Sequence, residues 1–248
     1  MTENTSPFER VMYELKPRAV TVKSIEDLTP RYRRIVFAGE DLRDFQSASP
    51  VDHVKFQIDI NGESIRRDYT PRAFGDGELT IDFALHGNGP ITTWAREADV
   101  GSTATVLGPR GSKIVHPVFD AFVLVGDETM LPAIGRALES LPQEMNVLAV
   151  IEVDKAGDEI ALPTSTNADI VWAHRIGRVP GVALVSALAT ANWPEGDVFC
   201  WAGGEASAMR DVRRHVLFER DLPRENLGMS GHWKHGESNF DHHAPIED

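Results

Sequence analysis

The chain of 248 residues carries one cysteine, Cys200, so it forms no intrachain disulfide and no cysteine-ligated iron–sulfur or zinc centre; a reducing compartment suits it. It is short of positive charge, with 25 lysines and arginines against 38 acids and a formal net charge of −13. That balance excludes a nucleic-acid or anionic-membrane partner, because both need clustered cations, and any basic site must be local. No apolar run reaches the roughly 18 residues of a membrane span. The opening stretch MTENTSPFERVMYELKPR has no basic segment followed by an apolar one, so no signal peptide is expected, and the protein reads as cytoplasmic. His232, His235, His242 and His243 lack the spacing of a compact ligand helix, so no metal site is expected either.

What is present is an ordinary globular composition, 42% hydrophobic, long enough for one large or two modest domains. From Ala19 to about Pro117 the chain alternates in short β-branched runs, AVTVKSIEDL, RYRRIVFAG, HVKFQIDI, ELTIDFALH and STATVLG, punctuated by Asn61-Gly62, Gly75-Asp76-Gly77 and Gly108-Pro109-Arg110-Gly111. Six or so such runs predict a closed antiparallel barrel, interrupted by a short helix capped by Thr92 or Thr93 and running to Ala98. Beyond Pro117 the rhythm changes. Continuous apolar strands, AFVLVGDET, NVLAVIEV, DIVWAHR and GDVFCWAGGE, interleave with the helical LPAIGRALESL and SAMRDVRRHVLFERD, which predicts a parallel sheet covered on both faces. The expected fold is therefore a six-stranded barrel over residues 1–118 followed by an α/β domain over 119–248. Cys200 belongs to its core, Arg210, Arg213 and Arg214 to a solvated helix face, and NFDHHAPIED to a tail.

Several stretches carry chemistry. In RRDYTPRAF, Arg67 can neutralise a diphosphate with a forked pair, Tyr69 can lie flat on a flavin ring and Thr70 can hydrogen-bond it; an exposed basic strand is the alternative. In HGNGPITTW, Gly87 and Gly89 allow close backbone approach, and helix-opening amides suit a diphosphate. His86 beside them either meets the flavin or is a satisfied barrel histidine. GDETMLPAI stands where a first parallel strand meets its helix, the place where open α/β sheets take ligands, although it is no GxGxxG fingerprint. Its acids Asp127 and Glu128 would repel a diphosphate, so they either cap the helix or leave binding to Thr129 and the backbone. Gly203 and Gly204 make a turn small enough for a dinucleotide to approach, with Glu205 and Ser207 placed to cap the next helix.

These motifs, with GHWKHGE near the C-terminus, occur in an order and spacing that resembles the siderophore-interacting protein family over nearly the whole chain. That family comprises flavin-dependent ferric-siderophore reductases related to the ferredoxin-NADP reductase superfamily. The resemblance implies FAD held by Arg67, Tyr69, Thr70, His86, Gly89, Thr92 and Thr93, with Trp233 as the terminal aromatic that roofs the flavin. By position, Gly126, Asp127, Glu128, Thr129, Gly203, Gly204 and Glu205 resemble the superfamily's nicotinamide-dinucleotide site. His174 and Arg175 stand where it meets the adenosine 2'-phosphate. The lean is to NADPH over NADH, although Glu152, Asp154, Asp158 and Glu159 could favour a free ribose hydroxyl. Lys55, Lys234 and His235 are candidate contacts for an anionic ferric siderophore or other ferric chelate, and a monomer is expected. The competing readings are a flavin reductase with another acceptor and a siderophore-binding protein without turnover.

Overall fold

The computed structural model describes residues 6–237 together with Phe240 and Ile246; His242, His243 and most of the expected tail lie outside the described residues. The chain forms two compact units, Met1–Pro117 and Val118–Asp248.

The first unit runs β1 (Phe8–Met12), β2 (Pro17–Thr29), β3 (Tyr32–Ala38), β4 (Val54–Ile60), β5 (Glu63–Tyr69), β6 (Pro71–Gly75), β7 (Glu78–Ala84), α1 (Pro90–Glu97), β8 (Thr103–Leu107) and β9 (Gly111–Val115). Alternation sets its core. Val20 and Val22 of β2, Ile35 and Phe37 of β3, Phe56 of β4, and Leu79, Ile81 and Phe83 of β7 point inward and are buried together. Each contributes about 1.5–3 kcal/mol by leaving water.

The antiparallel sheet has seven strands, ordered β5-β4-β8-β2-β3-β7-β6, and β1 pairs with β9 in a separate two-stranded ribbon. It is a half-barrel rather than the closed six-stranded barrel expected. Pro71, which has no N–H to donate, opens the last strand of the order, β6, beside a register shift between Pro71 and Ala73. The extended clamp segment is two strands, the first and last of the sheet order, joined at Thr70.

The second unit contains β10 (Ala121–Asp127), α2 (Leu131–Ser140), β11 (Asn146–Val153), β12 (Asn167–His174), α3 (Val182–Thr190), β13 (Val198–Glu205), α4 (Ala206–Arg214) and β14 (Leu227–Trp233). All five strands are parallel, in the order β12-β11-β10-β13-β14. Val123, Val125, Leu148, Val150 and Cys200 pack with Leu184 and Leu188 of α3 and Met209 and Val212 of α4. The alternate residues Phe122, Phe199 and Trp201 join Phe119 in an aromatic cluster with centroids 5.3–5.9 Å apart. The expected long last helix is present, with α4 widening at His215–Glu219 into a π turn. Among the described residues no helix is long and apolar enough to cross a membrane. The strand order reverses between β10 and β13, so their C-terminal ends frame the crevice where such sheets bind ligands.

Candidate functional site

In the first unit, Arg67 and Tyr69 are two residues apart on β5 and share a face. Arg67 is exposed and donates from Nη1 to the Arg66 carbonyl at 2.7 Å, while Arg66 Nε reaches Gln57 Oε1 at 2.6 Å. Tyr69 is half-buried, its ring centroid 4.6 Å from that of Phe83 and 5.9 Å from that of Phe56. One side of the ring is thus fixed by the core. Burial pushes the phenol above its ordinary range, and the charge of Arg67 pulls the other way. Lys55 is ion-paired with Asp68 at 2.6 Å across β4 and β5.

Helix α1 begins earlier than the sequence predicts. Its N-cap is Gly89, Pro90 fills the first turn, and Thr93 N donates to Gly89 O at 2.9 Å. Thr92 and Thr93 therefore lie inside the first turn and do not cap it, because Pro90 already has the fixed φ and missing N–H that suit a helix start. The amides of Ile91 and Thr92 precede the first intrahelical bond, and no side chain caps them among the described residues. A Cβ on Gly87, at φ +66°, or on Gly89 would meet nothing within 4 Å, so the loop faces open space. Arg96 braces it, donating to the Gly87 carbonyl at 2.9 Å and the Leu85 carbonyl at 2.8 Å. His86 is half-buried at the start of this loop.

The crevice of the second unit is organised by Asp127, which is buried and accepts four hydrogen bonds. Oδ1 takes Thr129 N at 2.9 Å and Thr129 Oγ1 at 2.6 Å; Oδ2 takes Glu205 N at 2.9 Å and Trp233 Nε1 at 2.8 Å. Because Thr129 donates to this carboxylate, it accepts from His232 Nδ1 at 2.8 Å, and His232 Nε2 hydrogen-bonds Ser230 Oγ at 3.0 Å. Glu205 caps α4 through Ala208 N at 2.8 Å and also accepts from His235 N at 3.1 Å. Asp127, one of the two acids expected to repel a diphosphate, thus holds the chain together. The glycines also have a different reason from the one read in the sequence. A Cβ on Gly203 would lie 2.7 Å from His232 Nε2, and one on Gly204 would lie 2.8 Å from Asp127 Oδ2, so the protein itself fills that space.

Arg175 is buried, donating from Nε to Glu152 at 2.8 Å and from Nη2 to Glu128 at 2.7 Å. Burial, the largest single influence, works against its charge, but the hydrogen bonds and charges of the two glutamates outweigh it and raise its pKa further. The arginine expected at the adenosine 2'-phosphate is therefore not a solvated surface residue, because the fold gives it two carboxylate partners. Neighbouring His174 bonds Glu159 at 2.7 Å, and Lys234 pairs with Glu237 at 2.7 Å.

Residues 119–236 match the family described as siderophore-interacting protein, and residues 57–113 match the siderophore-interacting FAD-binding domain. A relative in Escherichia coli (strain K12), named NADPH-dependent ferric-chelate reductase, is 30% identical over 250 residues, covering 91% of this chain and 96% of its own. The chain belongs to the siderophore-interacting protein family. A siderophore utilization protein from T. fusca has a crystal structure that matches at TM-score 0.88 and 39% identity, over 96% of this chain and 100% of that one. The ferredoxin reductase of carbazole 1,9a-dioxygenase, at 14% identity and TM-score 0.71 over 89% of this chain and 70% of that one, shares the fold alone. The chain spans 60% of the length of uncharacterized mycobacterial relatives, at 34% identity over 171 residues.

The sequence reading did not single out Arg96 or Ser230, and it weighed His232 only among four histidines without a metal-site spacing. Arg96 was hidden because an arginine late in a helix reads as solvated. Ser230 and His232 share a face only once GMSGHW is known to be a strand, and its glycines disguise that. Gly228 is nonetheless required beside Trp201, whose Cδ1 lies 2.8 Å from where a Cβ would stand.

Proposed function

We propose that the protein binds FAD and uses it to carry electrons from a reduced nicotinamide dinucleotide to Fe(III) in a siderophore or other ferric chelate, in the cytoplasm. The observation that carries this reading is the start of α1, where uncapped amides and open glycines lie in the same unit as the exposed fork of Arg67 and the half-exposed ring of Tyr69. Those groups fit an FAD: amides and Arg67 for the diphosphate, Tyr69 and Thr70 for the ring system. The match of residues 57–113 to an FAD-binding domain supports the same assignment.

A bound flavin supplies the exchange between a two-electron hydride donor and a one-electron metal acceptor. The chain's own residues bind and orient, and none is needed as an acid or base. Arg67 balances diphosphate charge, Phe83 and Phe56 hold Tyr69 in one orientation, and Arg96 keeps the Gly87 loop in place. The donor dinucleotide is assigned to the crevice framed by the C-terminal ends of β10 and β13, with NADPH favoured by the name of the Escherichia coli relative. Trp233 is held at this end by Asp127. Lys55 in the first unit, and Lys234 and His235 in the second, are each assigned as contacts for an anionic ferric chelate, each lysine exchanging its carboxylate partner for the substrate. Reduction to the softer Fe(II) weakens a hard-oxygen siderophore complex and frees the metal.

The test is optical. The purified protein should show flavin absorbance that NADPH bleaches without oxygen and a ferric chelate restores. A protein that neither carries FAD nor binds added FAD defeats the proposal.

A further inference from the structure

Arg175 rests on two carboxylates of unequal standing. Glu152 ends β11 with its side chain 1% exposed, and both of its oxygens are committed: Arg175 Nε at 2.8 Å, Gly181 N at 3.0 and 3.1 Å, and Leu184 N at 3.0 Å. It closes the N-terminus of α3 and cannot leave without orphaning that turn. Glu128 is different. It lies on the turn between β10 and α2, its side chain 15% exposed, and Arg175 is its one partner among the described residues, through Nη2 at 2.7 Å and Nη1 at 3.4 Å. The inner edge of the guanidinium is therefore fixed by Glu152, while its outer fork is held by a carboxylate tied down by nothing else.

A carboxylate seated on both terminal nitrogens of an arginine occupies the geometry that phosphate oxygens take on the same fork. The loop that follows adds a second feature of a nucleotide site. Ile176, a β-branched residue, is held at φ +45°, in the left-handed region where such residues are strained. It stands exposed on one short loop with Val179, next to the exposed Val182 that opens α3, which gives the segment after Arg175 an apolar outer surface suited to the face of a nucleobase.

We propose that Glu128 is an internal stand-in for a phosphate group: a phosphate of the donor nucleotide takes the outer fork of Arg175 and displaces Glu128, so that Glu128 sets how strongly the protein prefers a phosphorylated ligand at this position. The inference rests on the reading that a nicotinamide dinucleotide binds at the C-terminal ends of these strands. Charge supports an exchange over simple addition. With both glutamates in place the cluster carries one surplus negative charge, and a phosphate added beside Glu128 would be repelled; with Glu128 displaced, Arg175 faces one anion on each side.

The experiment uses the purified full chain with its flavin as isolated. Adenosine 2'-monophosphate, ADP and adenosine are titrated calorimetrically into wild type, Glu128→Gln and Glu128→Ala. Both variants keep Glu152 on Arg175, so neither leaves a buried charge unpaired. Removing the internal competitor should tighten the phosphorylated probe by about tenfold, the order of one charge-assisted hydrogen bond, and leave adenosine unchanged. A gain confined to adenosine 2'-monophosphate assigns the fork to a 2'-phosphate, and a gain confined to ADP assigns it to the diphosphate; either supports the exchange. Equal affinities for all probes in wild type and both variants overturn it, leaving a structural ion pair. None of these titrations requires iron or turnover, so a chain that shows the exchange but reduces no ferric chelate refutes the reductase reading alone.

Discussion

The indole N–H of Trp233 donates to Asp127 Oδ2 at 2.8 Å, tying the end of β14 to the end of β10 across the strand between them, whose Glu205 N–H reaches the same oxygen at 2.9 Å. One carboxylate therefore fastens three strand ends where the sheet order reverses. It also fixes His232 Nδ1 as the donor to Thr129 Oγ1.

Replacing Asp127 with Ala leaves four donors without their acceptor at a buried position. Such a loss costs on the order of 2–4 kcal/mol, read as a lower midpoint in urea unfolding. Trp233 emission should shift to the red in the folded variant as the indole loses its partner. A stability change within about 0.5 kcal/mol, the size of an ordinary surface substitution, would show that the three strand ends do not depend on this group.

The FAD assignment makes its sharpest demand on Arg67. Arg67→Ala removes a charge-assisted contact to a diphosphate and should weaken FAD binding by about 1.5–3 kcal/mol, with no loss of fold because the side chain is exposed. FAD retained after gel filtration, and the dissociation constant of re-added FAD, measure it directly. An unchanged constant removes Arg67 from the site.

How much of this could be read from residues depends on the kind of signal each element carries. Runs such as AFVLVGD and NVLAVIEV have no polar alternation because both faces are covered, so the parallel strands β10 and β11 were plain in the sequence. The last strand was not, since GMSGHW is half glycine and polar residues, and α3 went unread because VALVSALAT is apolar on every side. Arg67 and Tyr69 were legible as local spacing. The partners of Arg175 were not, because Glu128 and Glu152 lie 47 and 23 residues away in the chain and only the parallel sheet brings them to one edge. For the same reason a strand-ending arginine looked like an open phosphate contact when the fold had already given it two anions.

Tyr69 makes a prediction about pH. Its phenol is pushed above the ordinary value of 10.0, first by burial, with Arg67 opposing. In the unfolded chain the group ionises near 10, while in the folded chain it stays neutral. Stability from this site is accordingly full below pH 10 and declines as pH rises past it. A spectrophotometric titration should show a tyrosine fraction that ionises above the ordinary range and that Tyr69→Phe removes. Tyr69→Phe keeps the contact with Phe83 and should flatten the alkaline loss of stability. A tyrosine signal that titrates uniformly near 10 in the folded protein contradicts this placement.

The lysines assigned to the chelate face a harder test, because the fold has paired each of them: Lys55 with Asp68 at 2.6 Å and Lys234 with Glu237 at 2.7 Å. Partly exposed pairs like these contribute only about 0–1 kcal/mol each, so an anionic ligand can compete for the ammonium groups at little cost. Such recruitment acts over about 8 Å at physiological salt and must weaken as ionic strength rises. The Lys55→Ala, Lys234→Ala double variant should therefore reduce an anionic ferric chelate more slowly at low salt, approach wild type at high salt, and treat a neutral chelate normally throughout. Steady-state reduction of one anionic and one neutral chelate at two salt concentrations decides it. If both chelates slow equally at every salt concentration, the two pairs are structural, and the basic contact for the substrate must come from elsewhere in this acidic chain.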